Sequence, residues 1–493
     1  MIIEIKFHND HPILRGLDLD FRKKDETPYK TIILAGENGC GKTTILQAID
    51  CLRQSQKTKD SNIIERICLS KNGAIRKFQV DSKGIYYLED TCIVMRDDIE
   101  QYIAWSLFME ARSQFTYSHN SQQVDSYNAS MRELVRMCIK NQNELARKFF
   151  ELFPVNECSE NNTASDEFIN YVGTLQISRF RNAFHTFFLD KKLRFKGLKN
   201  ENQNNYELIF AKQNDREDKE FSINDLSSGE KQIVFRGTEV LQNKSNMRNG
   251  LVLVDEPELS MHPKWQKRIL KYYQDLLTDP QTKEQTAQLI VATHSPYIIE
   301  EAMKDRDNTL VIMLKEKDGK IEPKYVGGED CVLPSPTSAE VNYIAFDIPS
   351  IDYHQQLYGE VHKKFRKEHK DKDEKKDKIN IYKIEFCNKS ILEYLGAHKE
   401  KYDVDINDLK PGKYCKLSPR GDKTSGEFYK KYEALPTYIR NAIDHPGEPD
   451  ENPRKSVVDM QDELRTSIEL LQEIIAKRRK ATDCELGEFS RQV

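Results

Sequence analysis

Several things are missing from this 493-residue chain, and each absence removes a class of protein. No apolar run approaches the roughly 18–20 residues a membrane-spanning helix needs, so no membrane segment or membrane partner is expected. None of the ten cysteines forms a C-x-x-C pair, which argues against zinc ribbons and disulfide frameworks and fits a reducing cytoplasm. The opening Met1-Ile2-Ile3-Glu4-Ile5-Lys6-Phe7 alternates like a strand and lacks the charged-then-apolar layout of a signal peptide. Charge of either sign hardly dominates: 76 Lys and Arg against 80 Asp and Glu leave a net charge of -4, unlike a uniformly basic nucleic-acid binder. There is no internal repeat, and no sustained heptad run of the kind a long coiled coil requires. What is present is a heavily solvated chain, 32% charged and 38% hydrophobic, long enough for two or three domains.

The stretch Gly36-Glu37-Asn38-Gly39-Cys40-Gly41-Lys42-Thr43 fits G-x-x-x-x-G-K-[ST], a loop whose backbone N–H groups cradle phosphates. Its context suits the motif. Thr31–Leu34 reads as a short buried strand before it, and Ile45, Leu46, Ile49 and Leu52 recur at helical spacing after it. Together with Thr44, these residues are expected to bind nucleotide at a helix N-terminus. Lys42 would reach the terminal phosphates, and Thr43 would ligate Mg²⁺.

Taken in order, residues 1–34 read as three strands, Ile2–Phe7, Leu14–Phe21 and Thr31–Leu34. Residues 63–96 suggest further short strands. From about Asp97 to Phe153 the pattern reads as helical, with Ile99, Ile103, Leu107 and Met109 in its first part, and another helical run covers Phe168–Phe188. Between Lys42 and Asp255 the chain has room for a compact helical lobe, assigned to about 97–190. The expected domains are an ATPase domain over 1–326, a connector over 327–345 around Leu333-Pro334-Ser335-Pro336-Thr337, and a mainly helical domain over 346–493. Lys363–Lys378 mixes both signs of charge and reads as a solvated face. Met460, Leu464, Ile468, Leu471 and Ile475 form the apolar stripe of a terminal helix.

Leu251-Val252-Leu253-Val254-Asp255-Glu256 is an apolar strand ending in two carboxylates, fitted to hold Mg²⁺ (Asp255) and to polarise an attacking water (Glu256). Asn224–Gln232 contains Leu226-Ser227-Ser228-Gly229-Glu230. Alone, this stretch reads as a serine N-cap completed by Glu230 as a capping box. Leu289–Thr293 is a buried strand that ends at His294, and Pro257-Glu258-Leu259-Ser260 lies between the two strands. In this order the set resembles the ABC-type ATPases. That resemblance implies an α/β head in which His294 senses the γ-phosphate and Ser260 sits on a D-loop facing a second protomer. It also implies that Ser227, Ser228, Gly229 and Glu230 form the signature serving the partner's nucleotide. The active unit would then be a head-to-tail dimer or higher oligomer. Ser228 stands where glycine is commonest and Glu230 where glutamine is. Both departures, and the Ala-Thr-His-Ser-Pro wording around His294, resemble the soluble SMC-like and OLD-like members.

Beyond residue 340, Leu435–Pro446, Ile351-Asp352-Tyr353-His354 and Leu357-Tyr358-Gly359-Glu360 resemble PtuA-like ATPases of Septu-type anti-phage systems. This resemblance implies a separate HNH-type nuclease (PtuB-like) as partner, through which any nucleic acid would be reached. Two other readings stay open. Arg440-x4-His445 fits the R-x4-6-H pattern of HEPN ribonucleases, in which a self-contained ATP-gated nuclease would need no partner. An SMC-like DNA-repair ATPase is the other. Glu385 with Asp403 and Asp405 echoes a Toprim metal set faintly, without its glycine turn. The sum is an ATP- and Mg²⁺-dependent hydrolase that regulates an effector.

Overall fold

In a computed structural model the described residues are 1–52, 63–71, 73–81, 84–87, 99–110, 121–152, 175–202, 205–213, 218–242, 247–328, 330–370, 391–392, 394–395, 413–417, 432–444 and 460–489. They divide into two units, Met1–Val326 and Gly327–Val493.

The first unit opens with β1 (Ile2–Phe7), β2 (Asp18–Asp20) and β3 (Thr31–Gly36), followed by α1 (Lys42–Cys51). Then come β4 (Ile64–Lys71), β5 (Ala74–Asp81), β6 (Gly84–Tyr87) and β7 (Trp105–Met109). Helices α2 (Ser121–Leu152) and α3 (Gln176–Phe187) lead to β8 (Leu193–Asn202), β9 (Asn205–Gln213) and β10 (Asp218–Ser222). After α4 (Ser228–Leu241), β11 (Gly250–Asp255), α5 (Pro263–Leu277), β12 (Ala287–Thr293) and α6 (Pro296–Ala302), the antiparallel pair β13 (Thr309–Lys317) and β14 (Lys320–Tyr325) ends the unit.

The central sheet has the order β14-β13-β3-β12-β11-β7, parallel except for β14. Strands β3, β11 and β12 are buried along their whole length, which explains their unbroken apolar sequences. Because neighbouring strands run the same way, their carboxyl ends open together: Ala35 pairs with Thr293, and Ala292 with Asp255. In such sheets ligands bind at this end. A second, antiparallel sheet (β2-β1-β4-β5-β6) shares one apolar cluster with it. In that cluster Ile45, Leu46 and Ile49 of α1 are buried with Ile5, Leu19, Ile32 and Leu253. Each of these side chains contributes roughly 1.5–3 kcal/mol by leaving water, so the helix behind the phosphate loop is firmly seated.

Two sequence expectations change here. Trp105–Met109, read as part of a helix, is the edge strand β7, in parallel register with β11 from Trp105–Gly250 to Met109–Val254. The apolar spacing suited either period over so short a run. What decides it is a vacant sheet edge and Gly250, where any Cβ would collide with the Trp105 indole. Past the stretch assigned to the helical lobe, β8, β9 and β10 form a three-stranded antiparallel sheet. Finally, Leu14–Leu17 belongs to a turn, and only Asp18–Asp20 of the second predicted strand pairs with β1.

The second unit contains α7 (Ser338–Phe346), α8 (Ile351–Lys370), the short antiparallel pair β15 (Cys415–Leu417) and β16 (Tyr432–Ala434), α9 (Leu435–Asp444) and α10 (Gln461–Phe489). Its core joins Tyr353 and Leu357 of α8 to Ile439 of α9 and to Leu464, Ile468 and Leu471 of α10. The 327–345 stretch, read as a connector, carries bonds within the second unit. Cys331, Val332 and Leu333 are buried, and the Glu340 carboxylate accepts the Val332 and Leu333 N–H groups at 2.8 and 3.1 Å. His354 is fully buried, with Nε2 2.9 Å from the Ser467 hydroxyl, and burial pushes its pKa down to about 3. It is a neutral core residue.

Candidate nucleotide site

The loop between β3 and α1 turns on glycines in the left-handed region, Gly39 at φ 88° and Gly41 at φ 73°. Gly41 is the N-cap of α1 and offers no side chain to the first helical N–H groups, which stay available to an anion. A Cβ there would lie 2.7 Å from Leu14 Cδ2, so only glycine fits. Lys42 is 5% exposed, and its ammonium donates to the carbonyls of Gly36 (2.9 Å) and Glu37 (2.8 Å). Burial lowers its pKa, while the charges of Glu256, Asp255 and Glu258 oppose that shift.

Thr43, one residue on, donates its hydroxyl to Asp255 Oδ2 at 2.8 Å, linking the loop to the end of β11. Asp255 is 3% exposed, and burial raises its pKa. Its other oxygen, Oδ1, is buried without a hydrogen-bond partner among the described residues. A buried carboxylate oxygen without a donor is costly unless a cation or proton meets it. Thr43 and Asp255 therefore fit a hard, oxygen-seeking ion such as Mg²⁺. No cluster of three His, Cys, Asp or Glu side chains could hold a metal alone among the described residues. Phosphate and water oxygens would have to complete the shell, which is how Mg²⁺ is usually bound.

Glu256 follows with φ 42°, an uncommon conformation for a non-glycine residue, held by its N–H donating to Ala292 O at 2.9 Å. Its Oε1 lies 3.1 Å from His294 Nε2, and His294 Nδ1 lies 3.5 Å from Lys42 Nζ. Burial first, and then the Lys42 charge, lower the His294 pKa, so the ring is neutral near pH 7. The Glu256 carboxylate, which only accepts, calls for the ring proton on Nε2. Lys42, Thr43, Asp255, Glu256 and His294 thus form one connected group across three neighbouring strands.

Ser227, Ser228, Gly229 and Glu230 lie elsewhere on the unit, at the start of α4. The Ser227 hydroxyl donates to Glu230 Oε2 (2.7 Å), and the Ser227 and Glu230 N–H groups complete a capping box. Lys191 donates to Glu230 Oε1 at 2.8 Å and sits 4.8 Å from the Trp265 ring centroid. Burial works against ionising Glu230, but the bonds from Lys191 and Ser227 outweigh it and hold the pKa below the usual range. A Cβ on Gly229 would lie 2.6 Å from the Trp265 ring. Trp265 in turn belongs to an aromatic cluster with Phe187 and Phe188. The side-chain bonds of these signature residues run to one another and to Lys191; none reaches the phosphate loop among the described residues.

Ser260 is at φ 61° on an exposed turn after β11. Three residues that sequence reasoning passed over also matter. Glu258 and Gln266 bond the segment around His294. The charge of Glu110, just beyond β7, helps raise the Asp255 pKa. Glu258 carried one usable signal, an acidic residue in an otherwise apolar turn beside the acidic pair. Arg440 is ion-paired to Asp444 at 2.6 Å and donates to Asn441 Oδ1, an i,i+4 arrangement typical of a helix surface. His445, Glu385, Asp403 and Asp405 lie outside the described residues. No helix among the described residues is long and apolar enough to cross a membrane.

A protein-family model described as "AAA domain, putative AbiEii toxin, Type IV TA system" matches residues 144–300. The "Septu protein PtuA" of Bacillus thuringiensis is 25% identical over 229 residues, covering 44% of this chain and 53% of that protein. The "Retron Vc95 probable ATPase" of Vibrio cholerae serotype O1 biovar El Tor is 32% identical over 90 residues, 16% of each chain. The chain therefore spans about half, and about a sixth, of these two relatives. Among solved structures, the SMC head domain of Thermotoga maritima shows 12% identity and a TM-score of 0.35, over 66% of this chain and 98% of that one. The Smc head domain of Pyrococcus furiosus shows 14% and 0.34, over 66% and 96%. The P-loop ATPase domain itself stands on the sheet order and the loop geometry described above.

Proposed function

We propose that this chain, similar along part of its length to a Septu PtuA, is an ATP-hydrolysing regulatory subunit of an anti-phage defence system. The observation that carries the hydrolytic part is the connected group Lys42–Thr43–Asp255–Glu256–His294 at the carboxyl ends of adjacent parallel strands. ATP would lie with its phosphates on the loop N–H groups and the N-terminus of α1. Lys42 exchanges loop carbonyls for phosphate oxygens, which its three donors allow. Thr43 and Asp255 hold Mg²⁺, which neutralises charge on the phosphates when bound. Glu256 orients the attacking water and takes up its proton. Neutral His294, anchored on the Glu256 carboxylate, offers its ring to the γ-phosphate.

Ser227–Gly229 support a second copy's nucleotide in this reading, and Ser260 faces that copy, so the working unit is at least a head-to-tail dimer. Similarity to PtuA supports the defence role. We place the cutting of nucleic acid on a separate HNH-type nuclease bound by this chain, the partner that the resemblance to PtuA-like ATPases implies. The test of the hydrolytic reading is Glu256→Gln. It should lower phosphate release at least 100-fold while ATP still binds within about threefold of wild type; unchanged turnover would remove Glu256 from its role. Co-purification of a nuclease subunit from the native host, and loss of phage resistance in the Glu256→Gln strain, test the regulatory part.

A further inference from the structure

The turn between β11 and α5 is fastened to the His294 segment at two points. At its start, Glu258 Oε1 accepts the Thr293 hydroxyl at 2.8 Å and the His294 N–H at 2.7 Å. At its far end, Gln266 donates from Nε2 to Met261 O at 3.0 Å and accepts the Ser295 hydroxyl on Oε1 at 2.7 Å. The clasps share a strut, because the Ser295 N–H donates to Thr293 Oγ1 at 2.9 Å. The turn is also braced internally, Leu259 N–H to Glu256 O at 3.1 Å and Met261 N–H to Glu258 O at 2.9 Å. Its apex faces outward: Leu259 is 41% exposed, and Ser260 next to it is exposed at φ 61°.

Two features argue that this is more than a loop staple. Burying a carboxylate here is expensive: Glu258 Oε2 is buried without a hydrogen-bond partner among the described residues, and burial raises the pKa of the group. That cost is offset by the two bonds its Oε1 accepts, both of them from the His294 segment. The bonds are also aimed at the backbone and neighbour of His294 rather than at the rest of the fold. Moving the apex therefore pulls on the imidazole, while Lys42 and Thr43 rest on bonds of their own.

We propose that Glu258 is a positioning residue that couples the Leu259–Ser260 apex to His294, with Gln266 as the second clasp. The coupling rests on the hydrolytic reading above, in which a second copy seats that apex. Seating it would then set His294 against Glu256 and the γ-phosphate, so that turnover follows pairing while nucleotide binding does not. Glu258 touches neither phosphate nor water in this scheme and acts only through His294.

The experiment uses the full chain and separates turnover from binding. In Glu258→Ala, kcat for ATP should fall tenfold or more while KM and the Kd for ATP stay within threefold. Glu258→Gln keeps an acceptor oxygen at the same reach and should restore kcat to within threefold of wild type. Thr293→Val, which conserves shape but removes both the bond to Glu258 and the acceptor of the Ser295 N–H, should lower kcat severalfold; it carries the test if Glu258→Ala does not fold. In a His294→Ala background, Glu258→Ala should add no further loss, the non-additivity expected of residues that act as one unit. Unchanged kcat in Glu258→Ala and Thr293→Val, or equal losses in turnover and binding, would overturn the coupling. A wild-type chain without ATP turnover, or turnover indifferent to Lys42→Ala, would instead overturn the hydrolytic reading itself.

Discussion

The two ends of the first unit that carry its motifs are built on opposite principles. At the phosphate-loop end, polar capacity is left over. Among the described residues Asp255 Oδ1 and Glu258 Oε2 are buried without partners and the first N–H groups of α1 have no side-chain cap, while Lys42 is held by exchangeable carbonyls. At the signature end nearly everything is satisfied from within: Ser227 by Glu230, Glu230 by Lys191, and Lys191 over Trp265. Unspent donors and buried charge mark a place that expects a ligand, whereas a closed capping box marks a well-made helix start. The same chain thus holds one site that is conspicuous by itself and, in the function proposed above, another that would acquire meaning only against a second copy.

That contrast can be broken by experiment. The largest effect belongs to Ser227→Arg. It should abolish phosphate release, by 100-fold or more, while ATP binding to the isolated chain stays within about threefold. Full turnover in this variant would return the capping box to a purely structural role. Gly229→Ala comes next, since the added methyl group meets the Trp265 ring. It should cost about 1–3 kcal/mol in urea unfolding, the usual range for overpacking, with nucleotide affinity intact; an unshifted midpoint would show that Trp265 moves aside freely.

The smallest effect is a pair of opposite signs. Burial raises the Asp255 pKa above its unfolded value, so the ionised group opposes folding near neutral pH, and that penalty fades as pH falls through the folded pKa. Glu230 lies below its unfolded value, so its ion pair contributes stability above that value and loses it as pH drops. Without nucleotide, Asp255→Asn should raise the thermal midpoint at pH 7 and Glu230→Gln should lower it, with both differences shrinking toward pH 4. Parallel shifts in calorimetry would erase the distinction between the two ends.

Legibility from sequence follows the same division. Lys42, Thr43, Asp255, Glu256 and His294 could be named before any coordinates because each closes a short motif, a strand with a loop behind it, whose chemistry is local. Ser227–Glu230 were readable both as a capping box and as a signature, and the capping box is what a single chain contains. Trp105–Met109 misled because five residues cannot separate a period of 2 from one of 3.6; its strand state depends on the free edge of β11 and on the absence of a side chain at Gly250. Trp265 was invisible as the residue that excludes a side chain at Gly229, and Gln266 as a clasp, because both relations join positions far apart in the chain.

Local sequence, then, determined the elements around the phosphate loop and the candidate reactive groups: the glycine turn, the lysine and threonine behind it, the strand-end carboxylates and the histidine. It could do so because phosphate binding needs backbone conformations and donor spacings that are set within a few residues. Tertiary structure alone decided which strand ends lie side by side, which carboxylate oxygens remain unpaired, and that Glu258 grips the His294 segment. Those outcomes depend on parallel pairing and burial, which join residues remote in the chain and set the cost of every charge placed between them.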